Sequence, residues 1–462
     1  LLANLGLNLS PAKSYAQNAD ANHSVDLQTS RVRIDLPTAI KQLLSENLDL
    51  QIERIEPKAA DALVLQARGQ FDPTFSAGAN YLDSKKDLTT QEFLTYGGTL
   101  AEFNKLNGQP KLFEEDIVGF EAALEGKLPF GSSYVLSETL QQIENTLIRE
   151  STVNLYDPET QFNISLEWTQ PLLRDFGYDA GLATVRVLTK QRDAARHGLR
   201  RATASALAEL AFAYHDLHVL NRETSIRTEE VSLRKKVLET RILQQERGLA
   251  SDRQVQRARQ DVLTARQALA EAEARSLRNH DSFANLIEGE HDLNAPRKRY
   301  VAIPDGGILL PTTDRMGSFR QALDSRQDYQ QALSEAGAAD VELAFAKDQF
   351  LPKLDLTATI GANGLNQGYA DAFDRAFHSG NEEVLGNLHF SYPLFNRSAR
   401  GLRDEKQKRV AQAILNVKRI EVLIAQEVDG AHAALAIHGR RLDLAKSLSK
   451  AISEELANDR VR

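Results

Sequence analysis

From Phe75 to Tyr81 the chain places apolar residues at every second position (Phe75, Ala77, Ala79, Tyr81), with Ser76, Gly78 and Asn80 between them. A two-residue period belongs to a strand with one apolar and one polar face. The alternation returns at Leu354, Leu356, Ala358, Ile360 and Ala362, interleaved with Asp355, Thr357, Thr359, Gly361 and Asn363. Two more alternating stretches end in proline: Phe162, Ile164, Leu166 and Trp168 before Pro171, and Leu388, Phe390 and Tyr392 before Pro393. Proline lacks the N–H that a ladder needs, so it marks where the sheet hands over to another element. The pattern predicts strands over about 71–85, 160–171, 352–364 and 384–393. Val118, Phe120, Ala122 and Leu124, then the turn LPFGSS and the segment YVLSETL, predict an extra hairpin over 116–141. Periodicity does not assign its place in a sheet.

Between the strands the period changes. After Gly177 no proline occurs before about Arg247, and the seam Leu199, Ala202, Ala206, Leu210, Ala213, Leu217, Leu220 has the 3-4 spacing of coiled-coil packing with many small residues. The pattern predicts long helices over 178–247 and 252–288, the first reaching about 105 Å at 1.5 Å per residue. Gly248 suits the C-terminal cap and Ser251 or Asp252 the next N-cap. The return helix carries Val262, Ala265, Leu269, Ala272 and Ser276. A third long helix is predicted over 400–462, with Val417, Ile420, Ile424, Val428, Ala431, Leu435 and Leu442 as its seam.

The chain repeats itself. Residues 39–73 align without a gap with 318–352, and 12 of the 35 positions are identical, against two or three by chance. The unit reads helix, strand, strand, long helix, tip, return helix. The first copy covers 32–293, with helix 38–69; the second covers 318–462, with helix 318–349. Aligning ELAFAYHDL (209–217) with EVDGAHAAL (427–435) places Arg462 opposite about Gln244, so the second copy is expected to stop short of its own tip and return helix. Residues 294–317, rich in Pro and Gly, are expected to form a compact connecting (equatorial) segment, and 1–31 a signal-peptide remnant and flexible N-terminal segment, with Ser14-Tyr15-Ala16 as the small-residue cleavage pattern.

Composition narrows the function. The formal charge of −8 is spread along the chain, so no basic surface points to nucleic acid. There is no cysteine among the 462 residues, which excludes disulfides, thiolate nucleophiles and thiolate metal sites. No stretch approaches the roughly 18–20 apolar residues of a membrane-spanning helix, so insertion into a bilayer would have to use strands. His215 and His218 stand three apart on one helix but make an incomplete ligand set, and an ordinary interhelix role fits them better. There is no HExxH, phosphate loop or GxGxxG, and Gly306-Gly307 after Pro304-Asp305 is a turn signal. No catalytic, cofactor or metal constellation emerges.

A two-faced strand can rest on a soluble core or span a bilayer within a barrel, and on periodicity alone the soluble sheet is the commoner case. The long helices shift that balance toward a barrel continued by a helical cylinder. At this point the sequence resembles the outer-membrane efflux protein (TolC-like) family. The duplicated entries QARGQFDP and FAKDQFLP, the strand exits QPLLRDFG and YPLF, and the tip ERGLAS carry the likeness over roughly 32–462. The resemblance implies a mainly α fold with a β-barrel part. Three protomers would give four strands each to one 12-stranded outer-membrane barrel, continued by a periplasmic coiled-coil tunnel. It implies a periplasmic adaptor as partner, which links the duct to an inner-membrane pump or an ABC-type secretion transporter, and outer-membrane lipid around the barrel.

Residue by residue, the resemblance makes Gly248, Leu249, Ala250 and Ser251 the adaptor-facing tip. Many members have an acidic residue before the valine that follows this tip; here Gln254 precedes Val255. Pro73, Pro171, Pro352 and Pro393 are expected at the junctions of strand and helix. Phe75, Tyr81, Phe162, Ile164, Leu166, Trp168, Leu356, Ile360 and Phe390 are expected to face lipid, and Ser76, Asn80, Asn163, Glu167, Asp355 and Thr357 the lumen. The contrasting reading is a soluble or periplasmic coiled-coil scaffold with a small β domain.

Overall fold

A computed structural model describes residues 30–89, 91, 112–150, 156–289, 298–303 and 314–461. The expected signal remnant lies outside the described residues up to position 29, and most of the connecting segment 294–317 lies outside them too.

The duplication is visible element by element. In the first copy β1 (Ser30–Ile34) leads into α1 (Leu36–Glu46), α2 (Leu48–Glu53) and α3 (Glu56–Arg68), then β2 (Thr74–Asp87). β3 (Leu112–Lys127), β4 (Ser133–Asn145), the short α4 (Thr146–Glu150) and β5 (Glu159–Pro171) follow. Helices α5 (Gly177–Gly181), α6 (Ala183–Glu246) and α7 (Asp252–Ile287) complete the copy, with β6 (Lys298–Ala302) beyond them. The second copy has α8 (Arg315–Ser325), α9 (Gln327–Asp348), β7 (Lys353–Asn366), α10 (Tyr369–His378), β8 (Glu382–Ser391) and α11 (Arg397–Val461). At the repeat offset of 279, Arg315 corresponds to Leu36, Lys353 to Thr74 and Asn366 to Asp87, so β2 and β7 begin and end at equivalent residues. Asp35 and Asp314, also equivalent, both cap their helices by accepting from the backbone N–H three residues on.

The helices expected over 38–69 and 318–349 are each interrupted. Asn47 and its equivalent Arg326 both adopt extended backbone, with ψ of 120° and 123°, and end the first segment of their copy. The first copy breaks again before α3, where Pro57 takes a first-turn position because it has no N–H to give a helix interior. Its counterpart Ala336 lets α9 run through unbroken. The helix expected over 178–247 is likewise divided at Leu182, between α5 and α6.

Chain contacts divide the protein into two units, neither of which coincides with a repeat. One comprises 1–48 and 206–309, the other 49–205 and 310–462. In the first unit β1 and β6 pair in parallel, so the connecting segment contributes a strand. The Tyr214 hydroxyl lies 2.6 Å from the Ile303 carbonyl and 3.2 Å from that of Ile34, and the Tyr214, Phe283 and Tyr300 rings pack in sequence. The Asn47 side chain donates to the Leu286 carbonyl at 3.0 Å, and Arg275 pairs with Glu223 to tie α7 to α6. Leu210, Leu217, Val262, Ala265 and Ala272 of the expected seams are buried here.

The second unit holds one six-stranded antiparallel sheet in the order β2-β3-β4-β5-β7-β8. The hairpin whose place periodicity left open is inserted in its middle, between β2 and β5. Four strands per protomer were expected from the resemblance. Among the described residues the sheet has six, so a 12-stranded ring does not follow from three copies of it. In the same unit, α9 and α8 pack on α11 through Ala332, Ile420 and Ile424, with Val417 and Val428 beside them.

Candidate pore wall and helical tip

Directly paired residues in an antiparallel ladder share a face, so the register sorts the sheet into two surfaces. Phe75, Ala77, Ala79 and Tyr81 of β2 lie opposite Leu124, Ala122, Phe120 and Val118 of β3. The surface continues through Leu136 and Leu140 to Leu166 and Phe162, then Ile360 and Gly364, then Val384. Trp168, Leu356, Leu388 and Phe390 belong to it as well. The opposite surface carries Ser76 and Asn80, Glu121 and Glu125, Ser137 and Thr139, Asn163, Ser165 and Glu167, Asp355 and Thr357, then Asn387 and His389. All expected lipid-facing residues therefore lie on one face and all expected lumen-facing residues on the other.

The apolar face is open. Phe75, Tyr81, Ile360, Leu388 and Phe390 are all more than half exposed, and every residue of β8 is exposed. This surface across six strands, apolar except where the row Ala77-Ala122-Glu138-Ile164-Ala362-Glu382 brings in two carboxylates, far exceeds what scattered surface leucines explain, and calls for a cover. The polar face is knit by side chains: Ser137 and Ser165 lie 2.9 Å apart, Thr169 and Thr357 3.2 Å, and Asn163 donates to Thr139 at 3.4 Å. Asp355 on this face is buried and paired with Lys353 at 3.0 Å through Oδ2, while its Oδ1 has no hydrogen-bond partner among the described residues.

One residue of the apolar set needs correction. Phe162 is 1 % exposed, because α10 lies over it on that face. Ala372 and Ala376 of α10 are buried against the sheet, with Leu140, Ile164 and Ala362 around them, and Phe373 meets the Phe162 ring at 5.2 Å. Phe162 thus contacts protein, and the outward surface at this level is supplied by Tyr369, Phe373 and Phe377. The spacing of Tyr369, Ala372, Phe373, Ala376 and Phe377 is helical and was the available signal for α10.

The junctions follow the prolines. Pro73 and Pro352 stand immediately before β2 and β7, Pro171 ends β5, and Pro393 lies just beyond β8. Past the two exits the chain turns through left-handed residues, Asp175 with φ 65° and Asn396 with φ 40°. Asp and Asn tolerate that region better than other non-glycine residues. The Asp175 N–H donates to the Asp348 carboxylate at 2.9 Å, and burial pushes the Asp348 carboxyl above its ordinary range. The Asn396 side chain donates to the Phe350 carbonyl at 3.1 Å.

At the tip α6 ends in a Schellman motif. Gly248, with φ 73°, donates to the Gln245 carbonyl at 2.8 Å, and Leu249 to that of Gln244 at 2.7 Å. An apolar contact usually accompanies this motif, yet the Leu249 side chain points to solvent and is 75 % exposed. Ser251 caps α7, and its N–H donates to the Gln254 side chain at 2.8 Å. Gln254 closes a capping box as readily as an acidic residue would.

Among the described residues no group of three or more His, Asp or Glu side chains is placed to hold a metal ion, and no helix is long and apolar enough to cross a membrane.

Solved structures of three membrane-channel or outer-membrane proteins share this fold. CusC, known from crystal structures of its folding and transmembrane channel formation, is similar over 92 % of this chain and 79 % of its own, with 15 % identity and a TM-score of 0.56. The outer-membrane channel OprN is similar over 88 % of this chain and 75 % of its own, at 16 % identity and a TM-score of 0.57. The outer membrane protein VceC from Vibrio cholerae matches over 88 % and 80 %, at 17 % identity and a TM-score of 0.54. At such identity these likenesses establish the fold. No protein-family model and no curated protein matches the chain.

Proposed function

We propose that this protein is the outer-membrane exit duct of a tripartite efflux or type I secretion system. The observation that carries this reading is the open apolar face running across all six strands, set against a polar face on the other side. Lipid is the cover that such a face requires, and a wet lumen suits the other. Among the described residues both sheet edges are unpaired, so the barrel is completed by a homotrimer. The duct is passive and not an enzyme: selectivity and energy come from its partners. Gly248, Leu249, Ala250 and Ser251 form the surface that meets a periplasmic adaptor, which joins the duct to an inner-membrane pump or an ABC-type transporter. The fold shared with outer-membrane channels supports this reading. Purified protein added to a planar lipid bilayer should give stepwise ionic currents. A soluble coiled-coil scaffold would give none.

A further inference from the structure

We infer that the β3–β4 hairpin is part of the barrel wall, so that three copies joined β8 to β2 close an 18-stranded barrel. This rests on the homotrimeric duct proposed above and concerns how its wall is made.

Parity is the first argument. β2 and β8 are the sheet edges, and with six antiparallel strands they run in opposite directions. A hairpin adds two strands, so β8 of one copy still meets β2 of the next antiparallel; an insertion of one strand would have forced a parallel seam. The edges carry charge mainly at one end, Glu382 and Glu383 opening β8 and Asp83 to Asp87 closing β2. β8 has neither proline nor lysine, and β2 has none before Lys85.

Stagger is the second. Followed from strand to strand through the pairing, Ser391 of β8 projects level with Arg68 and Glu382 with Ala77. β2 begins only at Thr74 and ends at Asp87. All of β8 can therefore pair with a neighbouring β2 only when that copy is displaced along the strands by between six residues (68 to 74) and ten (77 to 87). The step must be even to keep the apolar face continuous. Six residues over six strands is one residue per strand, the ratio at which barrel strands tilt by about 36°. Transmembrane barrels tilt by about 35–45°. The sheet is already cut to the slant that closure needs.

The third argument is that the hairpin is anchored. Its turn sits against the segment that leaves β5: a Cβ on Gly131 would lie 2.1 Å from the Asp175 carbonyl oxygen, and one on Gly181 2.2 Å from that of Pro129. Gly177 donates to the Phe130 carbonyl at 3.0 Å. At about 4.8 Å between strands and this tilt, 18 strands give a wall about 34 Å across between backbones, where 12 would give about 23 Å.

The test uses paired cysteines in a chain that has none of its own. Gly386→Cys is combined in turn with Ala79→Cys, Tyr81→Cys and Asp83→Cys, the residues opposite it at displacements of six, eight and ten. A separate variant carries Ser137→Cys with Ser165→Cys. After oxidation in the outer membrane, one of the first three should give a covalent trimer, and the fourth should form its internal disulfide within assembled trimers. Links that saturate at a dimer, no link in any of the three, or trimers of the Ser137→Cys, Ser165→Cys variant in which both introduced thiols remain open to alkylation would overturn the 18-stranded wall. In that last outcome a membrane-bound trimer still stands and the duct reading survives, whereas a monomer recovered without detergent removes both.

Discussion

Gly364 and Ala372 are in backbone contact: a Cβ on Gly364 would lie 1.9 Å from the Ala372 carbonyl oxygen. That close approach lets α10 lie flat on the apolar face of β7 and cover Phe162. Gly364→Val should push the helix away at a cost of about 1–3 kcal/mol, typical of overpacking. Thermal unfolding monitored by circular dichroism checks this, and Gly386→Val, at a site with open space around it, serves as the control.

The apolar alternation, the duplication and the proline junctions were all legible in the sequence, because the first and last depend on neighbours along the chain and the second on residue identity alone. Three features were not. The place of the β3–β4 hairpin depends on which strands pair, and a two-residue period says nothing about partners. The covering of Phe162 depends on α10 folding back onto the sheet. The interruption at Arg326 rests on a backbone turn at a residue of no special propensity, although Asn47, a residue that favours turns and helix ends, and Pro57 did announce the breaks of the first copy.

The helical tip separates folding from coupling. The Leu249 side chain is exposed to solvent, so Leu249→Asp should leave the unfolding midpoint unchanged while weakening pull-down of the periplasmic adaptor. Gly248→Asp puts a side chain at φ 73° and should cost about 1–2 kcal/mol as well. Both variants should still assemble; loss of the trimer in the Leu249 variant would remove the tip from the adaptor surface.

Acid should weaken the start of α9, where Asp328 pairs with Arg326. The hydrogen bonds from the Arg326 guanidinium hold the Asp328 carboxyl below its ordinary value of 3.8, and Arg326 also reaches Glu427 of α11. A depressed folded-state pKa contributes stability above the unfolded value and loses it as pH falls through the folded one. Wild-type stability should therefore drop below about pH 3.8. Asp328→Asn should be less stable at pH 7 and lack this part of the acid drop, as denaturant titrations at a series of pH values would show.

The inserted hairpin adds Glu121 and Glu125 to the polar face that also carries Glu167 of β5, with Val135 of β4 between Glu125 and Glu167. An acidic lining attracts cations. In bilayers the Glu121→Gln, Glu125→Gln double variant should shift the reversal potential in a KCl gradient toward anions. An unchanged reversal potential would place those carboxylates off the conduction path.

The central claim is that the open apolar face of the sheet meets lipid. Fractionation of cells expressing the chain tests it most directly. The protein should sediment with the outer membrane, resist extraction by salt and require detergent for solubilisation. Full-length monomer recovered from the soluble fraction without detergent would contradict the account.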